Sequence, residues 1–315
     1  MMLARNILEI EGAVVRYGRL TAVDRLSLSM DAGETLGLVG ESGCGKTSLA
    51  KVLVGLLPLS GGAIRVEGID TQSPASKTAN WLPQRVQLLF QDPIASLSPR
   101  LSVRRLLEEP LLIRKNRSNE TWREVERLMG ELGLARHLLD RFPHQLSGGQ
   151  ARRVSMIRAL AMNPKIVVAD EPTAGLDLSV QGEMLNLLAL LQRERGLTYL
   201  IVSHNLNIIG RITDRVAVMY LGQIVEIGGT RRVFDRPAHH YSAALLAANP
   251  VLDPRRRQKR IVLKGELPSP LKPPPGCRFH TRCPAAQARC RVEVPLLRPL
   301  SDGHHVACHF PRETA

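Results

Sequence analysis

Gly40-Glu41-Ser42-Gly43-Cys44-Gly45-Lys46-Thr47 decides how the remainder of this 315-residue chain is read. Before it runs Gly33-Glu34-Thr35-Leu36-Gly37-Leu38-Val39, a short apolar run bounded by glycines and therefore a buried strand. After it, Ser48-Leu49-Ala50-Lys51-Val52-Leu53-Val54-Gly55 has helical character. A strand, then Gly-x-x-x-x-Gly-Lys-Thr, then a helix is the order of a phosphate-binding loop. Its glycines let backbone N–H groups converge on a phosphate where a side chain would block approach. The helix that follows adds the positive end of its dipole. Lys46 would neutralise β- and γ-phosphate charge, and Thr47 would offer its hydroxyl to Mg²⁺.

Working outward, Ile166-Val167-Val168-Ala169-Asp170-Glu171-Pro172 is an apolar strand that ends in two carboxylates. Asp170 there can hold a Mg²⁺ shell, and Glu171 can orient or deprotonate an attacking water. Ile7–Val15, Leu26–Met30, Ala63–Val66, Val86–Phe90 and Leu200–Val202 also read as strands, with Gly61-Gly62 as a turn and Val180–Arg195 as a helix. Strands alternating with helices predict a parallel sheet in an α/β fold. The stretch Ser102–Met162 differs. Leu106, Leu107, Leu111 and Leu112, then Val125, Leu128, Leu132 and Leu134, carry helical spacing without a strand-like interruption, which predicts a helical insert. Pro254–Arg260 is a basic run, and the five prolines of Pro268–Pro275 predict a linker or an extended polyproline-like arm.

Composition bounds the function classes. With 44% hydrophobic and 23% charged residues the chain is globular rather than disordered, collagenous or coiled-coil. No apolar run approaches the ~18 residues of a membrane-spanning helix, and the N-terminus lacks a signal-peptide pattern; a soluble, cytoplasmic protein is expected. Net charge is +14, and from Val251 onward 13 basic residues face 5 acidic ones. Such an excess fits nucleic acid, an anionic membrane face or plain solubility. Aromatics at 3% are too few for base-stacking platforms, which tilts the reading away from nucleic acid.

Leu146-Ser147-Gly148-Gly149-Gln150 opens a further helix, Ala151–Met162, with Ser147 at its N-cap. One nucleotide does not need two anion-binding helix termini from one subunit, unless a second copy supplies its own across an interface. On these motifs the sequence resembles the ATP-binding subunits of ABC transporters. The resemblance implies a P-loop ATPase core with an antiparallel β subdomain, the helical insert at about 91–163, and ATP trapped between two head-to-tail domains. It implies that Gly40, Glu41, Ser42, Gly43, Cys44, Gly45, Lys46, Thr47 and Ser48 form the nucleotide loop. Ser147, Gly148, Gly149 and Gln150 would form the signature that meets the opposite subunit's γ-phosphate. Gln91, in Phe90-Gln91-Asp92-Pro93, would reach Mg²⁺ or water and relay closure. Glu171 would be the catalytic glutamate and His204 the switch histidine. Asp177 would lie in the loop that communicates across the dimer, and Tyr17 would stack on adenine. Cys44 occupies a variable position of the loop without a chemical duty.

The stretch Asp92–Arg100, Arg141-Phe142-Pro143-His144-Gln145, and Gly265-Glu266-Leu267-Pro268-Ser269-Pro270 narrow the resemblance to dipeptide, oligopeptide and nickel importers. That branch implies residues 1–250 as the ATPase domain and 251–315 as its C-terminal extension. It also implies two permease subunits, a second ATPase subunit, an indirect solute-binding protein, no nucleic acid, and a place on the cytoplasmic face of the inner membrane. Departures are small: Ala174-Gly175 replaces the usual Ser-Ala, and Ala151 follows the signature. The alternative is a soluble ABC-type ATPase acting on nucleic acid or the ribosome through its basic tail. Finally, Cys277, Cys283, Cys290 and Cys308 crowd the last forty residues. Four thiolates can hold zinc or a [4Fe–4S] cluster, or stand as reduced thiols in a packed lobe; some members of the resembled branch carry an iron–sulfur cluster there.

Overall fold

The computed structural model describes residues 6–73, 81–114, 119–248, 265–301 and 303–312. Alternating burial along β1 (Asn6–Tyr17) and β2 (Leu20–Asp31) makes them a long antiparallel hairpin with Leu8, Ile10, Val15, Leu26 and Met30 inside. β3 (Thr35–Val39) is buried along its whole length and leads through the glycine loop into α1 (Lys46–Leu53). β4 (Gly61–Val66) and β5 (Ile69–Asp70) then complete a four-stranded sheet in the order β2-β1-β4-β5. The expected turn at Gly61-Gly62 is instead the first part of β4. Gly62 is required there because β1 passes so close that a Cβ would stand 2.3 Å from the Gly12 carbonyl.

α2 (Trp81–Arg85) and β6 (Val86–Leu89) follow, and the strand stops one residue short of Phe90, which is exposed. The insert is helical, as its leucine spacing predicts: α3 (Val103–Ile113), α4 (Asn119–Glu131), short 3₁₀ turns at Arg136–Leu138 and Pro143–Gln145, and α5 (Gly148–Leu160). Leu106, Leu107, Leu111, Val125, Leu128, Leu132 and Leu134 are all buried there, whereas Leu112 points to solvent. The chain returns through β7 (Ile166–Asp170), α6 (Leu178–Arg195), β8 (Thr198–Val202) and α7 (Leu206–Ile212). Then come β9 (Arg215–Tyr220), β10 (Gln223–Gly229), α8 (Thr230–Asp235), α9 (His240–Ala247), α10 (Ala288–Val292), β11 (Arg298–Ser301) and β12 (His304–Val306).

Eight of these strands form the second sheet, ordered β11-β12-β10-β9-β3-β8-β7-β6. β6, β7, β8, β3 and β9 are parallel neighbours, and β10, β12 and β11 continue antiparallel. The α/β expectation holds. The sequence analysis places no strand after Val202; β9 and β10 are as long as most of those it does place, whereas β11 and β12 are only four and three residues long. The C-terminal region thereby joins the main sheet, through Glu226 paired with Val306 and Ile227 with His305. Pro268–Pro275 is not one polyproline helix: Lys272 N–H bonds the Ser269 carbonyl in a turn. The basic run Pro254–Arg260 lies outside the described residues.

Candidate functional site

The parallel strands deliver the chemistry at their C-terminal ends, where open α/β sheets bind ligands. β3 ends in the glycine loop. A Cβ at Gly45 would stand 2.1 Å from the Ala22 carbonyl, and one at Gly40 2.2 Å from that of Met219, so close approach of backbone excludes any side chain at either position. Lys46 is buried, and its Nζ donates to the carbonyls of Gly40 and Glu41 at 2.8 and 3.0 Å, spanning the loop it opens onto. Thr47 hydrogen-bonds the carboxylate of Asp170, the last residue of β7. Burial pushes the Asp170 carboxyl above its ordinary range, the Thr47 bond opposes this, and the neighbouring Glu171 charge adds to the rise.

Glu171 follows with φ +49, a conformation that costs energy for a non-glycine residue and recurs at functional sites. Its backbone N–H is held by the Val202 carbonyl at 2.8 Å, so β7 and β8 aim the side chain together. Oε2 accepts the Ser203 hydroxyl at 3.0 Å, Oε1 accepts the His204 backbone N–H at 2.9 Å, and His204 Nδ1 lies 2.6 Å from Oε1. Such a carboxylate, fixed by three donors at a strand end, can accept a proton from water lying above the phosphate loop. Lys46, Thr47, Asp170, Glu171 and His204 thus come together at one end of the parallel strands.

Tyr17 ends β1, is 43% exposed, and its hydroxyl meets Ser48 at 3.3 Å on the first turn of α1. Its ring is therefore free to receive a flat partner beside the loop. Gln91 is exposed just past β6; the turn after it is tied to α5 by the Ser96–Ser155 hydroxyl pair at 3.1 Å and by Arg158 to the Ser96 carbonyl at 3.3 Å. Ser147 and Gln150 form a reciprocal capping box, Gln150 N–H to Ser147 Oγ at 3.3 Å and Ser147 N–H to Gln150 Oε1 at 2.9 Å. Gly148 and Gly149 have open space where a Cβ would be. These signature residues bond among themselves and do not join the Lys46–Glu171 group. Asp177 is exposed at the N-cap of α6.

Cys44 is 4% exposed, so a thiol reagent meets a side chain packed under the loop, and burial raises its pKa. Ser42 and Gly43 are exposed at the loop tip, and Glu41 is half-buried.

Several residues of consequence have no place in the sequence reading. Arg152 is buried and donates to the carbonyls of Pro172 and, at 3.0 Å, Ala174, tying the signature helix to the segment behind Glu171. Arg282 forks onto Glu41 at 2.8 and 3.1 Å, and Tyr241 Oη accepts the Glu41 N–H at 2.9 Å. The position of Arg152 two residues after the signature, and of Arg282 beside Cys283, was their only sequence signal.

The four C-terminal cysteines line one nearly closed cavity with Phe279, His239 and His309. Burial pushes the thiols of Cys277 and Cys308 up to about 11 and raises Cys283. Among the described residues no three His, Cys, Asp or Glu side chains are grouped to hold a metal ion. The zinc alternative therefore gains nothing from the structure, and neither does iron–sulfur beyond the shared cavity.

Residues 23–174 match the ABC transporter family, and residues 225–290 match the C-terminal region of oligopeptide/dipeptide transporters. The oligopeptide transport ATP-binding protein AppF of Bacillus subtilis is 43% identical over 94% of this chain and 91% of its own. The chain belongs to the ABC transporter ATP-binding proteins, in their oligopeptide/dipeptide branch. It is an ATPase of the ABC type. The di/tripeptide transport ATP-binding protein DppF of Pseudomonas aeruginosa is 42% identical, covering 99% of this chain and 96% of its own. Among solved structures, a dimeric ATP-binding cassette in a post-hydrolysis state, bound to ADP and Pi, aligns with TM-score 0.63 and 27% identity over 71% of this chain and 99% of that one. Another, cbiO1 of Clostridium perfringens, part of an ABC transporter complex, aligns with TM-score 0.65 and 29% identity over 73% and 91%. No helix among the described residues is long and apolar enough to cross a membrane.

Proposed function

We propose that this ABC ATPase powers uptake of peptides, or of a related small solute such as nickel, with residues 1–250 as the ATPase domain and 251–315 as the extension. One observation carries the head-to-tail arrangement: the capped helix end is exposed at Ser147 and Gly148, and its capping bonds run only between Ser147 and Gln150 among the described residues, which leaves an anion site open to a second subunit. A second ATPase subunit would supply the nucleotide, and this chain's Lys46 loop would receive the partner's signature. The named substrates of AppF and DppF support peptide as the cargo.

In this reading Tyr17 stacks on adenine, the loop from Gly40 to Ser48 wraps the phosphates, and Lys46 leaves the Gly40 and Glu41 carbonyls for β- and γ-oxygens. The hydroxyl of Thr47, the carboxylate of Asp170 and the amide of Gln91 are the oxygen donors that suit Mg²⁺, which supplies charge neutralisation on the phosphates. Glu171 takes a proton from the attacking water as the bond from the γ-phosphorus to the β–γ bridging oxygen breaks, leaving ADP and phosphate. His204 holds Glu171 in place and reaches toward the γ-phosphate. Asp177 carries the state of one site to the other.

A cleft of about 400 Å³ between the turn after α1, β6, α3 and α5, lined by Leu56, Phe90, Pro110, Ile113 and Met162, supports docking of a permease's cytoplasmic helix beside the Gln91 turn. The basic surface then faces an anionic inner leaflet, placing the protein peripherally on the cytoplasmic side of the membrane. A structural [4Fe–4S] cluster on Cys277, Cys283, Cys290 and Cys308 would need these thiols grouped more closely than they stand in the structure.

The test is a tagged pull-down from detergent-solubilised membranes, purified without oxygen, with mass spectrometry of partners and an absorption spectrum. Recovery of two permeases and an ATPase is expected. Ribosomal or nucleic-acid-bound material without a membrane subunit would instead favour the soluble alternative. A broad band near ~400 nm is expected of the cluster; a colourless sample that retains the permeases removes the cluster alone.

A further inference from the structure

Glu41 places a carboxylate within the glycine loop, where its charge would oppose the polyphosphate that the proposed function puts there. The C-terminal lobe answers that charge. Arg282 reaches from between the cysteine cavity and Tyr220 to grip both Glu41 oxygens, at 2.8 and 3.1 Å, with its own side chain 9% exposed. The fork is the strong, geometrically defined form of an ion pair. Behind it, Tyr220, Tyr241 and Phe279 pack in tilted and edge-on contacts with ring centroids 4.6–5.5 Å apart, and Tyr241 Oη accepts the Glu41 N–H at 2.9 Å. A second strut runs beside the first: Arg278 bonds the Leu221 carbonyl and Asp24, and the adjoining Gly222 N–H donates to the Cys44 carbonyl at 2.8 Å.

We propose that Arg282 is a positioning residue for ATP binding: it neutralises Glu41 within the phosphate loop and holds the loop to the C-terminal lobe. The lobe is then part of the nucleotide site's electrostatics rather than an appendage to it. Without Arg282, an unpaired carboxylate faces the polyphosphate and repels it, and its freed side chain unsettles the two carbonyls on which Lys46 rests. The effect must act on ATP affinity before it acts on turnover, since Arg282 touches neither Glu171 nor His204.

This rests on the Gly40–Ser48 loop being the ATP site, and the experiment separates the two ideas. ATP affinity of the purified full-length chain is measured by calorimetry for wild type, Arg282→Ala, Glu41→Gln and the double variant. Arg282→Ala is expected to weaken ATP about tenfold, less so at 1 M salt where repulsion is screened. Glu41→Gln in the same chain is expected to restore affinity to within about threefold of wild type, because the offending charge is gone. A purely architectural role for Arg282 would leave the defect unrescued and insensitive to salt, and either result overturns the proposal. Should Arg282→Ala fail to fold, the double variant is compared with Glu41→Gln alone: equal affinity supports the proposal, and a tenfold gap overturns it. Lys46→Ala serves as the control. If it keeps full ATP affinity, the site itself is misassigned; if it loses binding while Arg282→Ala does not, only the positioning role falls.

Discussion

His204 Nδ1 stands 2.6 Å from Glu171 Oε1, and the same oxygen also receives the His204 backbone N–H at 2.9 Å. Two residues 33 apart in sequence are brought together because β7 and β8 are adjacent parallel strands ending at the same level, with Asp170 opposite Val202. Glu171 is thus held by groups that would also sense a γ-phosphate.

From this pair, Glu171→Gln is expected to keep ATP affinity while slowing hydrolysis by about 10²–10⁴-fold, the usual worth of a general base. His204→Ala should also spare binding and cost less, since the His204 and Ser203 contacts to the carboxylate are partly made by backbone and hydroxyl. Phosphate release and calorimetry on the same preparations check both. A Glu171→Gln protein that hydrolyses at the wild-type rate would exclude Glu171 as the base.

Gly45→Ala is expected to abolish ATP binding. Its Cβ would meet the Ala22 carbonyl at 2.1 Å with φ at +111, so the loop must shift by more than a bond length of slack allows. A loss of about 2 kcal/mol or more in folding stability should accompany it. Thermal melting with and without ATP reads both effects, and an unchanged ATP-induced rise in Tm would contradict the expectation.

Arg152→Met keeps an unbranched apolar stem but leaves the Pro172 and Ala174 carbonyls without their buried donor. The cost in stability should be about 1–3 kcal/mol. Because Arg152 joins the signature helix to the segment after Glu171, kcat should fall while ATP affinity of the isolated chain stays. Urea unfolding and steady-state hydrolysis test the two parts; equal losses in kcat and affinity would point to general damage instead.

Acid should loosen the C-terminal lobe through His239. Burial pushes its pKa down to about 4, with His240 adding to the fall and Glu226 opposing it. Its Nδ1 accepts the Tyr241 N–H at 3.0 Å, so protonation removes the cap of α9, the helix that carries Tyr241 to Glu41. The unfolded chain takes up the proton at the ordinary value of 6.5. Stability from this residue is therefore complete above pH 6.5 and declines as pH falls toward 4, by up to about 3 kcal/mol. Tm measured from pH 7.5 to 5 should drop, and drop less in His239→Gln; a flat wild-type profile would count against it.

Much of this protein was legible in its sequence because its chemistry is local. Gly40–Thr47, Asp170-Glu171 and Ser147–Gln150 are short segments whose backbone conformation and ligand chemistry are set by residues a few positions apart. Short apolar runs and helical spacing likewise located β1, β3, β7 and α3–α6. The turn expected at Gly61-Gly62 failed for a non-local reason: β1 crosses within contact distance, and glycine there makes room for a neighbouring strand.

Tertiary structure alone decided three things. It brought His204 onto Glu171 through strand adjacency, it added β12 and β11 to the main sheet beside β10, and it set Arg282 on Glu41, 241 residues away. Each depends on which surfaces meet when the core closes, and such pairings leave no mark on the spacing of the residues that make them. The sequence by itself determined a phosphate loop, a carboxylate strand end and a second anion-binding helix, because each is written in contiguous residues. The union of the C-terminal lobe with that loop is a property of packing, where a guanidinium finds its carboxylate only after both have been buried together.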